Sequence, residues 1–172
     1  MNYSAIYNQD VINGVGFRVS LFVSGCGKTP KCKHCHNKKA WDFNSGKLYT
    51  KETEDKLIKY ASKPFIAGLS LLGGEVFDNL RSGDLLNLVR RFKEEFPNKN
   101  IWAWSGYTYE ELLKRPDARI FLEYVDILVD GEFVFELKDL DIKFRGSSNQ
   151  RVIDVQASLH ENRVVLYNID EV

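Results

Sequence analysis

The run Phe65-Ile66-Ala67-Gly68-Leu69-Ser70-Leu71-Leu72, closed by Gly73-Gly74, constrains this chain more than any other stretch. An almost uninterrupted apolar segment of strand length fits a strand covered on both faces, the situation found in parallel sheets. The sequence around it keeps the same rhythm. Asn13-Gly14-Val15-Gly16 turns into Phe17–Val23, a run of β-branched and aromatic residues that reads as an earlier strand. Thr50 is the expected N-cap of a helix through Ser62, stopped by Lys63-Pro64. Leu85, Leu88, Val89, Phe92 and Phe96 keep helical spacing from Ser82 to Pro97, and Ile101–Trp104 reads as the next strand. Thr108 and Glu111 form a capping-box pattern that opens another helix, and Val125–Val129 is a further strand running into Asp130-Gly131.

Alternating strands and helices predict an α/β architecture with a mainly parallel sheet. We expect one domain over residues 1–172, with no internal repeat. Two regions are less legible. Asn2–Gly16 is merely polar and aromatic. Beyond Glu132 there is a polar loop, Arg145–Arg151, and then Arg163–Tyr167, which suits a final strand or an extended tail.

Ligands of parallel α/β sheets bind at the carboxyl ends of the strands. Four loops follow separate predicted strands: Ser24–Asn37, Gly73-Gly74-Glu75, Ser105-Gly106-Tyr107 and Asp130-Gly131. If the strands are parallel, all four meet on one rim. The first loop holds all three cysteines, Cys26, Cys32 and Cys35. The chain has 24 basic and 24 acidic residues, so no basic field argues for nucleic acid. No apolar run is long enough to span a bilayer, and we expect a cytoplasmic protein. There, clustered thiols indicate a metal more often than a disulfide. Two metals suit the loop. Zinc takes four ligands, and His34 or His36 could join the three thiolates. An iron–sulfur cluster usually takes four thiolates, so three would leave one iron open. Gly73-Gly74-Glu75 favours the second reading, because backbone without Cβ atoms plus a carboxylate offers acceptors to a ligand's ammonium group.

Together these motifs resemble the radical S-adenosylmethionine (SAM) enzymes and, within them, the family of proteins that activate anaerobic ribonucleoside-triphosphate reductase. The likeness rests on Asn13-Gly14-x-Gly16-x-Arg18, Leu21–Cys26, Cys35-x-Asn37, Gly68-Leu69-Ser70-Leu71-x-Gly73-Gly74, Ile101-Trp102-x-Trp104-x-Gly106-Tyr107, Leu128-Val129-Asp130-Gly131-x-Phe133 and Arg145–Arg151. It implies a partial (βα) barrel of radical SAM type. It also implies a [4Fe–4S] cluster on Cys26, Cys32 and Cys35, with SAM bound at the open iron and cleaved reductively to a 5′-deoxyadenosyl radical. That radical would take hydrogen from a glycine of the reductase, the protein substrate. The same resemblance sets His34 and His36 beside the adenine, and gives Gly73, Gly74 and Glu75 the methionine ammonium. Ser105 and Asp130 complete the expected cofactor rim. A flavodoxin-type protein is the implied electron donor, and a homodimer is compatible with the pattern. The Arg145–Arg151 loop is a candidate for the reductase-facing surface. The alternatives are a zinc-binding interaction module and a radical SAM enzyme acting on a small molecule.

Two departures stand out. The cysteine spacing is C-x5-C-x2-C where the family has C-x3-C-x2-C, and Gly73-Gly74-Glu75-Val76 replaces Gly-Gly-Asp-Pro. Neither removes a needed group.

Overall fold

The computed structural model describes residues 1–35 and 37–169. In chain order the strands are β1 Asn2–Asp10, β2 Phe17–Val23, β3 Lys47–Leu48, β4 Ile66–Gly73, β5 Asn100–Trp104, β6 Ile127–Asp130 and β7 Arg151–Asp154. The helices are α1 Lys51–Ala61, α2 Asp84–Glu95, α3 Tyr109–Leu113, α4 Pro116–Leu122 and α5 Val155–Glu161. The seven strands of the described residues form one sheet in the order β3-β1-β2-β4-β5-β6-β7. Its centre, β2-β4-β5-β6, is parallel, whereas β1, β3 and β7 pair antiparallel.

The parallel strands stand in sequence order, joined by crossovers through α1, α2 and the α3–α4 pair. Right-handed crossovers between strands added always on the same side bring every helix to the same face. The packing agrees. Val19, Leu21, Val23, Leu69, Leu71, Ile101, Ala103 and Leu128 share one core with Leu57, Ile58, Leu88, Phe92, Leu112 and Phe121 from the helices. Helix starts are fixed locally. Thr50 caps α1 through a reciprocal bond pair with Thr53, and Thr108 does the same for α3 with Glu111. Helix α2 starts at Asp84, two residues later than the Ser82 expected, because a 3-10 helix over Val76–Ser82 intervenes and Gly83 turns left-handed at φ 78°.

Among the described residues no α-helix contributes to the cluster on the opposite face. One cross-strand rung on that face is Ser20–Ser70–Trp102–Ile127. Beside that rung Arg18 is fully buried. Its Nε donates to Ser70 Oγ at 2.6 Å, its Nη1 to Val15 O at 3.1 Å, and its Nη2 to Leu69 O at 2.9 Å. The guanidinium lies 5.4 Å from the centre of the Trp102 ring. Burial lowers its pKa to about 9. This network ties the Asn13–Gly16 turn to three strands and closes the amino-terminal end of that face. A small apolar cluster of Trp102, Ile127, Val129 and Val152, with Phe144 and Tyr167 against it, covers the β6–β7 side.

The structure adds elements that the sequence did not announce. Asn2–Asp10 is a nine-residue strand, and Arg151–Asp154 with Val155–Glu161 forms a strand and a helix. Within Arg163–Tyr167 only Leu166 makes a strand-like bridge, to Ile153. No helix among the described residues is long and apolar enough to cross a membrane.

Candidate metal centre and cofactor cavity

The cysteine loop leaves β2 at the carboxyl end and is fastened at its neck. Gly25 N–H donates to Ala40 O at 2.8 Å, and Cys26 N–H to Trp41 O at 3.2 Å. Glu75 N–H reaches Gly25 O at 2.8 Å, joining this neck to the loop after β4. Here the paired glycines act on the chain itself. A Cβ on Gly74 would sit 2.3 Å from Gly25 O and 2.8 Å from Ala40 O. A Cβ on Gly73 would lie 2.5 Å from Val23 O. The missing side chains let the cysteine loop settle directly on the β4 turn.

All three cysteines are free thiols of intermediate burial. They line one cavity of about 330 Å³ together with Gly73, Gly74, Glu75, Ser105, Gly106 and Gly131. That is within the size range of small-ligand sites, roughly 300–1,000 Å³. Burial pushes the Cys26 and Cys32 thiols up in pKa, opposed by a backbone N–H on each sulfur, from Lys28 and Phe133 respectively. Donors waiting at a sulfur suit a thiolate that a metal would hold, since binding exchanges the proton for the metal. Among the described residues no three His, Cys, Asp or Glu side chains gather as a site for a single ion. An iron–sulfur cluster asks something different of three thiolates, that they face one common space, and these do.

The unusual Cys26–Cys32 span has its own anchors. Gly27 N–H donates to Asp78 Oδ2 at 2.7 Å. Asp78 in turn faces Tyr107 OH at 3.3 Å and Arg115 Nη1 at 3.2 Å. Lys28 Nζ lies 5.0 Å from the Tyr107 ring centre and 3.6 Å from Glu132. Lys31 Nζ turns back to donate to Cys26 O. The longer arm is therefore held at each end.

Across the cavity Glu75 is buried. Oε1 accepts from Ser105 Oγ at 2.8 Å and Phe77 N–H at 3.2 Å, and Oε2 accepts from Gly106 N–H at 2.8 Å. Burial nevertheless raises its pKa to about 7, with Asp78 adding to the rise. Counting lone pairs, Oε1 is satisfied and Oε2 keeps one acceptor position. Ser105 thus acts on Glu75, and also accepts from Tyr107 N–H at 3.0 Å.

Two expected rim residues are elsewhere. Asp130 is buried outside the cavity lining, accepting from Tyr109 N–H at 2.7 Å and pairing with Arg151, which also binds Glu110. His34 is exposed, with φ 60°, and its ring rests on Phe135 with centroids 4.4 Å apart. His36 lies outside the described residues. Sequence reasoning missed the aromatic walls, Phe22, Trp41, Trp104, Phe133 and Phe144. Trp104 and Phe133 stood inside recognised motifs, but nothing local marks Trp41 or Phe144. The Arg145–Arg151 loop contributes Gly146 and Gln150 to the wall.

Comparison with known proteins bears on this cavity. The family model described as a 4Fe-4S single cluster domain matches residues 12–153. The chain is 45% identical over 152 residues to the anaerobic ribonucleoside-triphosphate reductase-activating protein of Vibrio cholerae serotype O1, covering 87% of this chain and 96% of that one. The protein of the same name from Escherichia coli K12 is 42% identical, covering 88% and 97%. The one from Enterobacteria phage T4 is 40% identical, covering 88% and 93%.

Proposed function

Because the chain belongs to the family of anaerobic ribonucleoside-triphosphate reductase-activating proteins and carries their 4Fe-4S single cluster domain, we propose that it is a radical SAM oxidoreductase that generates a glycyl radical on such a reductase. The observation that carries this reading is the single cavity shared by Cys26, Cys32, Cys35 and the buried Glu75. Bound there, a [4Fe–4S] cluster would supply the low-potential electron for reductive cleavage of SAM, and the resulting 5′-deoxyadenosyl radical would take hydrogen from a glycine of the reductase.

The chain's own residues do the rest. Cys26, Cys32 and Cys35 would hold the cluster. Lys28 and Phe133 brace two of the sulfurs through their N–H groups. The free lone pair of Glu75 Oε2 accepts the methionine ammonium, while Ser105 and Gly106 keep that carboxylate aimed. Ligand charge also settles the protonation of Glu75: an ammonium beside it favours the anion. The aromatic walls exclude water from a reactive intermediate. His34 and His36 are assigned to the adenine edge, and Asp130 acts on the rim through Tyr109 N–H and Arg151. The one-sided helices and sequential parallel strands support a partial (βα) barrel forming one radical SAM domain. A flavodoxin-type protein in the cytoplasm is the proposed electron source.

Anaerobic reconstitution tests the reading. We expect about four irons per chain, SAM cleavage on reduction, and a glycyl radical seen by electron paramagnetic resonance when the purified reductase is added. One tightly bound zinc without SAM cleavage would instead assign a zinc-binding interaction module. Cleavage without a reductase radical would point to a small-molecule substrate.

A further inference from the structure

The β6–β7 connection, residues 131–150, is more than a wall of the cavity. Its outer strip presents Phe135, Leu137 and Leu140 to solvent, at 46%, 44% and 83% exposure. Residues 137–139 run beside 146–148: Ser148 N–H donates to Leu137 O at 2.9 Å, Asp139 N–H to Gly146 O at 3.3 Å, and Lys138 bridges Ser147. Gly146 faces the cavity, so the apolar strip is the back of the cavity's own rim. Charged residues alternate with it along the chain: Glu136, Lys138, Asp139 and Asp141. Large apolar side chains exposed among charged ones suit a protein–protein contact.

We propose that this strip is the docking ridge for the reductase, in particular for the surface around its reacting glycine. The inference rests on the activase reading above and goes further by naming where the partner sits. Size decides the occupant. A cavity of about 330 Å³ is sized for a small ligand and does not admit a folded partner. A protein substrate must therefore lie over the rim while its glycine segment enters. The ridge is also mechanically joined to the metal loop. Phe135 stacks on His34, Glu136 faces Lys33 at 3.5 Å, and Phe133 N–H reaches the Cys32 sulfur. A partner seated on the ridge presses on the segment that completes the cysteine site.

The test uses the reconstituted full chain and purified reductase, comparing wild type with L137D/L140D and with the milder L140D. Neither leucine lines the cavity. The expected result is at least tenfold weaker reductase binding and a matching loss of glycyl radical in the double variant, with a smaller loss in L140D. Iron content and SAM cleavage measured without reductase stay at wild-type values. Unchanged reductase affinity in the double variant overturns the proposal. If that unchanged affinity comes with dissociation of a homodimer in sedimentation, the ridge belongs to a second copy of this chain. Should the double variant lose its iron, L140D alone decides by the same binding measurement. A wild-type protein that binds reductase through the ridge yet cleaves no SAM defeats the activase reading and leaves the docking result standing.

Discussion

The two faces of the sheet are built from the same strands and do opposite work. On the helix-covered face, alternate residues are Val19, Leu21 and Val23 in β2, Leu69 and Leu71 in β4, and Ile101 and Ala103 in β5, all essentially without solvent exposure. On the other face the intervening positions are Arg18, Ser20, Gly68, Ser70, Trp102 and Trp104, followed at the strand ends by the cysteine cavity. Burying an aliphatic side chain contributes about 1.5–3 kcal/mol. The helix face therefore concentrates stability. The bare face holds polar groups that each need a partner, and leaves a concavity where chemistry has room. The period-two pleat makes the separation possible, because substitutions on one face leave the other's side chains in place.

The separation can be attacked in order of effect. Cys32→Ala should abolish iron binding and SAM cleavage outright, while the metal-free variant unfolds at the wild-type urea midpoint. A large drop in that midpoint would show that the faces are not separable. Retained iron would remove Cys32 from the ligand set. The mirror experiment is Leu71→Ala, which empties a buried site on the helix face and should cost about 2–5 kcal/mol, with iron per folded chain unchanged.

Glu75 gives a pH signature. Its folded pKa is about 7 against 4.5 for the free carboxyl, so between those values the folded chain holds a proton that the unfolded chain has released. Stability of the metal-free protein should fall as pH rises through that window, by on the order of 3 kcal/mol in total, and level off above it. Glu75→Gln should flatten the curve; an identical slope in that variant would place the titration elsewhere. The smallest effect belongs to Asp78→Ala. Losing the acceptor for Gly27 N–H should cost about 1 kcal/mol, yet hasten loss of iron to a chelator several-fold. A chelation rate equal to wild type would show that the longer cysteine arm needs no anchor.

How much of this was legible beforehand depends on how local the cause was. Phe17–Val23 and the Thr50 and Thr108 caps were readable because neighbours in sequence determine them. The rim of four loops was readable because strand ends are enough to place them. Strand β1 was not, since its exposed outer positions, among them Tyr7, Asn8 and Gln9, dilute the apolar pattern. Strand β7 is four residues long and opens with an arginine that belongs to Asp130. The Asp78 anchor joins residues 51 positions apart, and no spacing rule announces that. Asp130 shows the converse: its place at a strand end was correctly read, but its carboxylate serves α3 and Arg151.

The hydrogen bond from Phe133 N–H to the Cys32 sulfur has a consequence for biosynthesis. The ribosome makes the three cysteines early and Phe133 about a hundred residues later. At roughly 5–20 residues per second, the thiols emerge some ~5–20 s before the wall that completes their surroundings can fold. Metal loading is thereby a late event, and a chain cut short within the β6–β7 connection would keep every cysteine yet lack a finished place to put the metal.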